Sequence, residues 1–130
     1  MTVKKPKDFR GEVGQPDFPK NVVVIIPAFR VASKILGVVR EIPNWVAEII
    51  VIDDCCPENS GDLVEKSIKD PRVKVVRHVT NQGVGGAMRT GYTRALNNES
   101  NQVFVKIDGD GQMDLNQIPA LISPILSGRA

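Results

Sequence analysis

Residues 22–27 read VVVIIP, an unbroken run of β-branched side chains that stops at Pro27. A run without polar residues indicates a strand that is buried on both faces. Three further short apolar runs occur later in the chain, each bounded by turn-forming or acidic residues. We therefore predict four strands, over residues 22–26, 49–52, 73–76 and 103–107.

Segments with a helical spacing of apolar residues separate these strands. The first spans Ile35 to Ile42, and the second begins after Ser60, a candidate N-cap. A third runs from about Gly85 to Leu96, and a fourth begins near Asn116. Strands that alternate with helices predict an α/β fold, namely an open, mostly parallel, Rossmann-like sheet with helices on both faces.

The chain has 130 residues, enough for one domain, and a net charge of +2 from 17 basic and 15 acidic residues. That balance predicts no nucleic-acid surface and no strong attraction to membranes. No apolar stretch approaches the roughly 20 residues that span a bilayer. Residues 1–20 are charged and contain prolines, so we expect a flexible leader there and no signal peptide. The adjacent Cys55 and Cys56 would strain a mutual disulfide, which is consistent with a reducing cytoplasm.

Open parallel sheets bind ligands beyond the carboxyl ends of their strands, so the loops after the predicted strands are the places to search for a site. The loop after the fourth strand reads DGDGQ over residues 108–112. One glycine separates Asp108 from Asp110, and glycine permits a tight path that turns both carboxylates toward one point. Mg²⁺ and Mn²⁺ take carboxylate ligands together with substrate phosphates. The pair therefore predicts a metal site that bridges to a diphosphate, with a solvated acidic turn as the alternative.

The loop after the second strand contains Asp53 and Asp54. Doubly wound folds often place a carboxylate here against a ribose hydroxyl, and a cap or a loop-solvating acid is the equal alternative for Asp53. The neighbouring Cys55 and Cys56 are interpreted as small packing residues. No base for a cysteine nucleophile is nearby in sequence, and His78 is the only histidine.

The loop after the third strand reads NQGVGGA over residues 81–87. It matches neither the dinucleotide-binding fingerprint nor the P-loop pattern. Its glycines permit either ligand contact or close packing of a helix on the sheet. Arg89, in the helix that follows, is either a phosphate contact or a surface charge.

Together, residues 24–29, 50–54, 81–87 with Gly91, and 108–112 resemble family 2 glycosyltransferases, which have a glycosyltransferase A-type fold. The order and loop positions of the motifs match as well. The likeness covers about residues 22–126 and is nearest to the branch that contains dolichyl-phosphate mannose synthase and polyprenyl-phosphate glycosyltransferases.

The resemblance implies a role for each loop. Pro27, Ala28 and Phe29 would line the nucleotide pocket, and Asp54 would meet the base or ribose. Asp108 and Asp110 would hold the donor diphosphate through Mg²⁺ or Mn²⁺, with Asp110 the more direct ligand. The further donor-binding candidates are Gly83, Gly85, Arg89 and, close to the donor sugar, Gln112. No catalytic residue is identifiable.

The sequence departs from the family at two loops. Arg30-Val31-Ala32 stands where members usually carry an asparagine and a glutamate, and Cys55-Cys56-Pro57 replaces a small polar turn. The family also continues beyond this length with an acceptor site. We therefore expect a leader over residues 1–20 and a nucleotide-sugar-binding domain over residues 21–130 that stops before the acceptor half and does not turn over alone.

The function implied is transfer of a hexose from a UDP- or GDP-sugar to a lipid phosphate or glycan at the cytoplasmic face of the membrane. Membrane association would come only from segments outside this chain, and a homo-oligomer is compatible with the sequence. One alternative is a sugar-phosphate nucleotidylyltransferase-like domain, although the arginine- and lysine-bearing glycine loop of that class does not follow the first strand. The other alternative is a non-catalytic nucleotide-binding fragment.

Overall fold

A computed structural model describes residues 21–98 and 101–111, in which four parallel strands alternate with three helices. The strands are β1 (Asn21–Ala28), β2 (Glu48–Asp53), β3 (Val73–Arg77) and β4 (Asn101–Lys106). The helices are α1 (Ala32–Arg40), α2 (Ser60–Ser67) and α3 (Gly83–Ala95). The predicted α/β class and parallel sheet are confirmed. The predicted leader, the helix near Asn116 and Gln112 lie outside the described residues.

The strand order is β3-β2-β1-β4, so β1 lies between β2 and β4. The chain moves outward from β1 to β2 to β3, and α3 then carries it back to the other side of β1. The strand order therefore reverses between β1 and β4. The apolar run in β1 is fully buried because it has a strand on each side and helices above and below.

Alternate residues of the strands build two separate cores. One core joins the even-numbered side chains of β1 to α1 and α2, and Ile35, Val39 and Val64 contribute from those helices. The other joins the odd-numbered side chains of β1 to α3. Thus α1 and α2 cover one face of the sheet and α3 covers the other. No helix within the described residues is long and apolar enough to cross a membrane.

The prediction that β1 stops at Pro27 is wrong, because the strand continues through Pro27 to Ala28. Backbone carbonyls at even positions of β1 accept hydrogen bonds from the β2 side, and Ile25 accepts one from Ile107 on the β4 side. The backbone nitrogen of Pro27 therefore faces β4. The pairing of β1 with β4 ends at Ile25, before Pro27 is reached. A missing N–H at that place leaves no strand bond unmade.

The predicted helix boundaries shift by one to three residues. α1 ends at Arg40, and Ile42 is buried in the turn that follows. α3 begins at Gly83, two residues before the predicted start. A Cβ at Gly91 would lie 2.5 Å from Cγ2 of Ile25, so α3 packs closely on the sheet at Gly91, which lies outside the loop 81–87 for which close packing was the alternative.

Candidate functional site

A cleft of about 150 Å³ opens at the carboxyl ends of β1 and β4, where the strand order reverses. Its walls come from the loops after β1, β2 and β4 and from the first turn of α3. The lining residues are Pro27, Ala28, Phe29, Val31, Asp54, Val84, Asp108, Gly109 and Asp110. The structure therefore brings together most of the residues that the sequence nominated from three separate loops.

The two carboxylates predicted to hold a metal line the same cleft. Gly109 between them is buried, and a Cβ there would lie 3.1 Å from both Ile35 and Val31, so a side chain would crowd the turn. The carboxylate of Asp108 forms an ion pair of 2.9 Å with Nζ of Lys106. This ammonium group offsets part of the negative charge at the rim of the cleft.

The chemistry of this rim fits a divalent cation that is shared with a ligand. Mg²⁺ commonly takes one or two carboxylates and completes its shell with phosphate oxygens and water. Within residues 21–98 and 101–111, no group of three or more His, Cys, Asp or Glu side chains is arranged to hold a metal. Among the described residues, Asp108 and Asp110 could therefore bind a cation only together with phosphate oxygens and water, and not as part of a site made of protein ligands alone.

Asp53 has a structural role and does not line the cleft. Its buried carboxylate accepts hydrogen bonds of 2.8 Å from the backbone N–H groups of Cys56 and Gly61. Gly61 lies in the first turn of α2, so Asp53 caps that helix from the end of β2. The prediction of Ser60 as the N-cap is wrong, because Ser60 is the first helical residue and Asn59 precedes it without a side-chain cap bond. The Asp53 carboxylate, eight residues before Gly61, instead accepts from one N–H group of that helix end.

The Asp54 carboxylate joins the loop after β2 to the start of α3. One oxygen accepts a hydrogen bond from the backbone N–H of Gln82 and the other accepts one from Gly83, each at 2.8 Å. Gly83 has φ +80°, a conformation that favours glycine. Asn81 also donates to the backbone carbonyl of Asp54. The carboxylate that the family resemblance directs toward a base or ribose thus holds the loop beside the cleft.

His78 completes this network, and sequence reasoning missed it. Its Nδ1 lies 2.7 Å from the same Asp54 carboxylate, and its Nε2 lies 2.8 Å from the hydroxyl of Thr90 on α3. The side chains of His78 and Asp54 are only 6% and 4% exposed. Burial alone would raise the pKa of the Asp54 carboxyl, but hydrogen bonds from His78, Gln82 and Gly83 outweigh burial and hold that pKa below its usual value.

The two loops that depart from the family contact each other. The backbone N–H of Arg30, whose φ is 58°, donates to the sulfur of Cys56 at 3.1 Å, and the N–H of Ala32 donates to Glu58 at 3.2 Å. Cys56 is buried, as a packing residue should be, and its sulfur lies 3.2 Å from the hydroxyl of Ser60. Cys55 is exposed, so the packing interpretation is wrong for that residue.

The remaining donor-binding candidates lie in different places. Gly83 and Gly85 flank Val84, which lines the cleft, and nothing lies within 4 Å of a Cβ built at Gly85. Arg89 lines another cavity, between α3 and β3, and does not line the cleft. Sequence spacing placed Arg89 near the glycine loop but could not show which side of the helix it occupies.

A family model described as Glycosyl transferase family 2 matches residues 23–130. An undecaprenyl-phosphate mannosyltransferase from Micrococcus luteus is 30% identical over 109 residues, which cover 80% of this chain and 44% of that protein. A dolichol-phosphate mannosyltransferase from Pyrococcus furiosus is 31% identical over 111 residues, which cover 82% of this chain and 30% of that protein. The chain therefore spans less than half the length of these relatives.

Among solved structures, residues 1–349 of TarS from S. aureus superpose with a TM-score of 0.52 at 20% sequence identity. The match covers 81% of this chain and 32% of the TarS chain. At that identity the likeness concerns the fold, and it supports the α/β architecture described above.

Proposed function

This chain belongs to glycosyl transferase family 2, and from that premise we propose that its cleft binds the nucleotide-sugar donor for transfer of a hexose to a lipid phosphate or glycan. One observation carries the proposal. Asp108 and Asp110 share a cleft with Pro27, Ala28 and Phe29, at the point where the sheet order reverses. Two carboxylates that could bind a cation and an apolar wall thus lie together at the place where such sheets bind nucleotides, which supports the proposal.

Each wall of the cleft has a part in this proposal. Phe29 and Val84 give apolar surface beside the base and ribose, and both side chains are exposed enough to be covered by a ligand. Asp108 and Asp110 would hold Mg²⁺ or Mn²⁺, which would supply positive charge to the donor diphosphate. A cation bound there would neutralise charge on the departing diphosphate as the bond to the sugar breaks. Lys106 adds a positive charge to the same rim through its ion pair with Asp108.

Asp54 and His78 act on the donor through the loop that they hold. Their hydrogen bonds fix residues 81–83, and Val84 follows directly into the cleft. A loop that is already fixed loses less conformational freedom when a ligand binds. We assign both residues to positioning this wall, with the Asp54 carboxylate itself engaged by protein donors.

The proposal also concerns how the chain is organised. The described residues around the cleft carry the donor-binding part of the proposed site. The acceptor reaction would take place at the cytoplasmic face of a membrane.

Isothermal titration calorimetry with UDP, GDP and their sugars, in Mn²⁺ and in EDTA, tests the donor site. We expect binding in Mn²⁺ that weakens by at least about tenfold, or 1.4 kcal/mol, in the Asp110→Asn variant. The variant removes one carboxylate ligand and keeps the size of the side chain.

Asp62→Asn is the matched control, because Asp62 is an exposed carboxylate on α2 outside the cleft. Its affinity should stay within about twofold of the wild type. If Asp110→Asn and Asp62→Asn bind alike, the metal assignment is wrong. If no nucleotide binds in any titration, the chain is a non-catalytic module and the donor proposal fails.

A further inference from the structure

α3 and the edge strand β3 border a second cavity, of about 440 Å³, on the sheet face opposite α1 and α2. Its lining consists of Val76, Arg89, Thr90, Thr93, Arg94 and Asn97. The lining contains two arginines and no carboxylate. Its volume lies within the range of about 300–1,000 Å³ that is usual for small-molecule sites.

The two arginines of this cavity form no ion pair with the residues that the structure describes. Within residues 21–98 and 101–111, neither Arg89 nor Arg94 forms an ion pair, whereas Arg72 pairs with Asp70 and Arg77 pairs with acids of α2. The side-chain amide of Asn97 also makes no hydrogen bond to the described residues. The cavity therefore presents three solvent-exposed donor groups that have no acceptor among the described residues.

The two threonines of the cavity are already engaged. The Thr93 hydroxyl donates to the backbone carbonyl of Arg89 at 2.9 Å, and the Thr90 hydroxyl lies 2.8 Å from Nε2 of His78. These bonds fix the wall and leave the guanidinium groups and the amide as donors for a ligand.

The helix dipole does not explain both cations. Arg94 lies in the last turn of α3, where a positive charge is favourable by itself. Arg89 lies in the middle of the helix, beyond the reach of that effect. Both arginines are exposed and line the same cavity, so an anion bound there could contact both, because guanidinium groups match the geometry of phosphate oxygens with two donors at a time.

We propose that this cavity is a second anion site, which binds the phosphate group of a phosphomonoester through Arg89, Arg94 and Asn97. Val76 and the hydrocarbon stems of the arginines form an apolar floor for the organic part of the ligand. The phosphate belongs either to a soluble metabolite or to a lipid headgroup, since the cavity recognises the chemistry that both share. The inference does not depend on the proposed donor site, which involves other residues and a metal.

The single histidine of the chain provides a local readout. Thr90 lines the cavity and bonds the His78 imidazole, so a ligand there should shift the imidazole signals in a long-range ¹H–¹⁵N NMR spectrum. The purified protein is titrated in EDTA with inorganic phosphate and glycerol 3-phosphate, and with phosphatidylcholine vesicles with and without phosphatidic acid. EDTA removes metal-dependent binding in the cleft. We expect a saturable shift with a soluble phosphate, with the phosphatidic acid vesicles, or with both.

Variants then assign the binding to the two arginines. In Arg89→Gln/Arg94→Gln the dissociation constant should rise by at least about tenfold, while Arg40→Gln, on the opposite face of the sheet, should change it by less than about twofold. The double variant Arg89→Lys/Arg94→Lys keeps both charges without the guanidinium fork and should bind with intermediate affinity. It serves as the test if the glutamine variant does not fold. Wild-type affinity in the folded glutamine or lysine variant, or no shift with any probe, would overturn the proposal.

Discussion

Asp53 and Asp54 are adjacent in sequence, yet their carboxylates bind different parts of the protein. Asp53 caps α2, and Asp54 holds the start of α3. Successive residues at the end of a strand point to opposite faces of a sheet, which explains the division. The sequence showed two acids at a strand end, but their partners lie up to 29 residues away.

His78 has two ring nitrogens with different partners, and amide side chains can replace them one at a time. His78→Asn can keep the contact with Asp54, whereas His78→Gln reaches further and can keep the contact with Thr90. We expect the free energy of unfolding of His78→Gln to fall by about 1–3 kcal/mol, because the buried Asp54 carboxylate loses its imidazole partner and keeps only the backbone donors of Gln82 and Gly83. The free energy of unfolding of His78→Asn should fall by only about 1 kcal/mol, because this variant loses only the contact with Thr90.

Urea unfolding at pH 7 measures both His78 variants, and Thr90→Val isolates the weaker of the two contacts. Thr90→Val should resemble His78→Asn in its free energy of unfolding. If His78→Gln proves the more stable of the two histidine variants, Asp54 is not the partner that matters.

At the scale of the element, α3 shows how one helix uses different glycines for different purposes. Gly83 adopts a positive φ where its N–H meets Asp54, and Gly91 permits close approach to β1. The second role was not predicted from the sequence, because it depends on contact with Ile25 in a distant strand. The first could not be predicted, because it depends on a carboxylate that arrives from another loop.

Gly91→Ala should destabilise the protein by about 1–3 kcal/mol, because the new methyl group would overlap Cγ2 of Ile25 in the core. That loss exceeds the gain of about 1 kcal/mol that alanine brings to a helix interior. Thermal and urea unfolding both report the change.

Gly85→Ala is the matched control in the same helix. Nothing lies within 4 Å of a Cβ at Gly85, so the substitution should stabilise the protein by up to about 1 kcal/mol. Equal effects of the two substitutions would show that the approach of α3 to β1 is not limited by Gly91.

At the scale of the whole molecule, the sheet could be predicted and the network beside the cleft could not. Strands such as β1 are buried on both faces, and this burial leaves unbroken apolar runs in the sequence. The rule for strand ends directed the search to the loops after β1 and β4, and Pro27 and Asp108 from these loops line one cleft. The link from Asp54 through His78 to Thr90 leaves no such pattern, since it joins single residues of three segments.

Acid stability is a further property of the whole fold to which Asp54 contributes. Hydrogen bonds lower the folded pKa of its carboxyl, so this stabilisation is complete above the unfolded pKa, about 3.9, and is lost as the pH falls through the folded value. We expect the free energy of unfolding of Asp54→Asn to be about 1–3 kcal/mol below that of the wild type at pH 7. This difference should narrow below about pH 4. Urea unfolding at several pH values measures the gap.

The exposed-carboxylate variant Asp62→Asn serves as the reference for this pH series. Its free energy of unfolding should stay within about 1 kcal/mol of the wild-type value at every pH of the series. A constant gap between Asp54→Asn and wild type from neutral to acid pH would show that the Asp54 charge does not contribute to folding.

The contact between Arg30 and Cys56 has a consequence for how these two loops can evolve. A backbone donor in one loop reaches a sulfur in the other, and Glu58 reinforces the same junction at Ala32. Exchanging the segment after β2 alone would remove the sulfur and carboxylate acceptors, whereas the backbone donors at positions 30 and 32 persist with any residue except proline. The loop after β1 therefore depends on side chains of the loop after β2, and a chimera that exchanges the second loop should exchange the first as well.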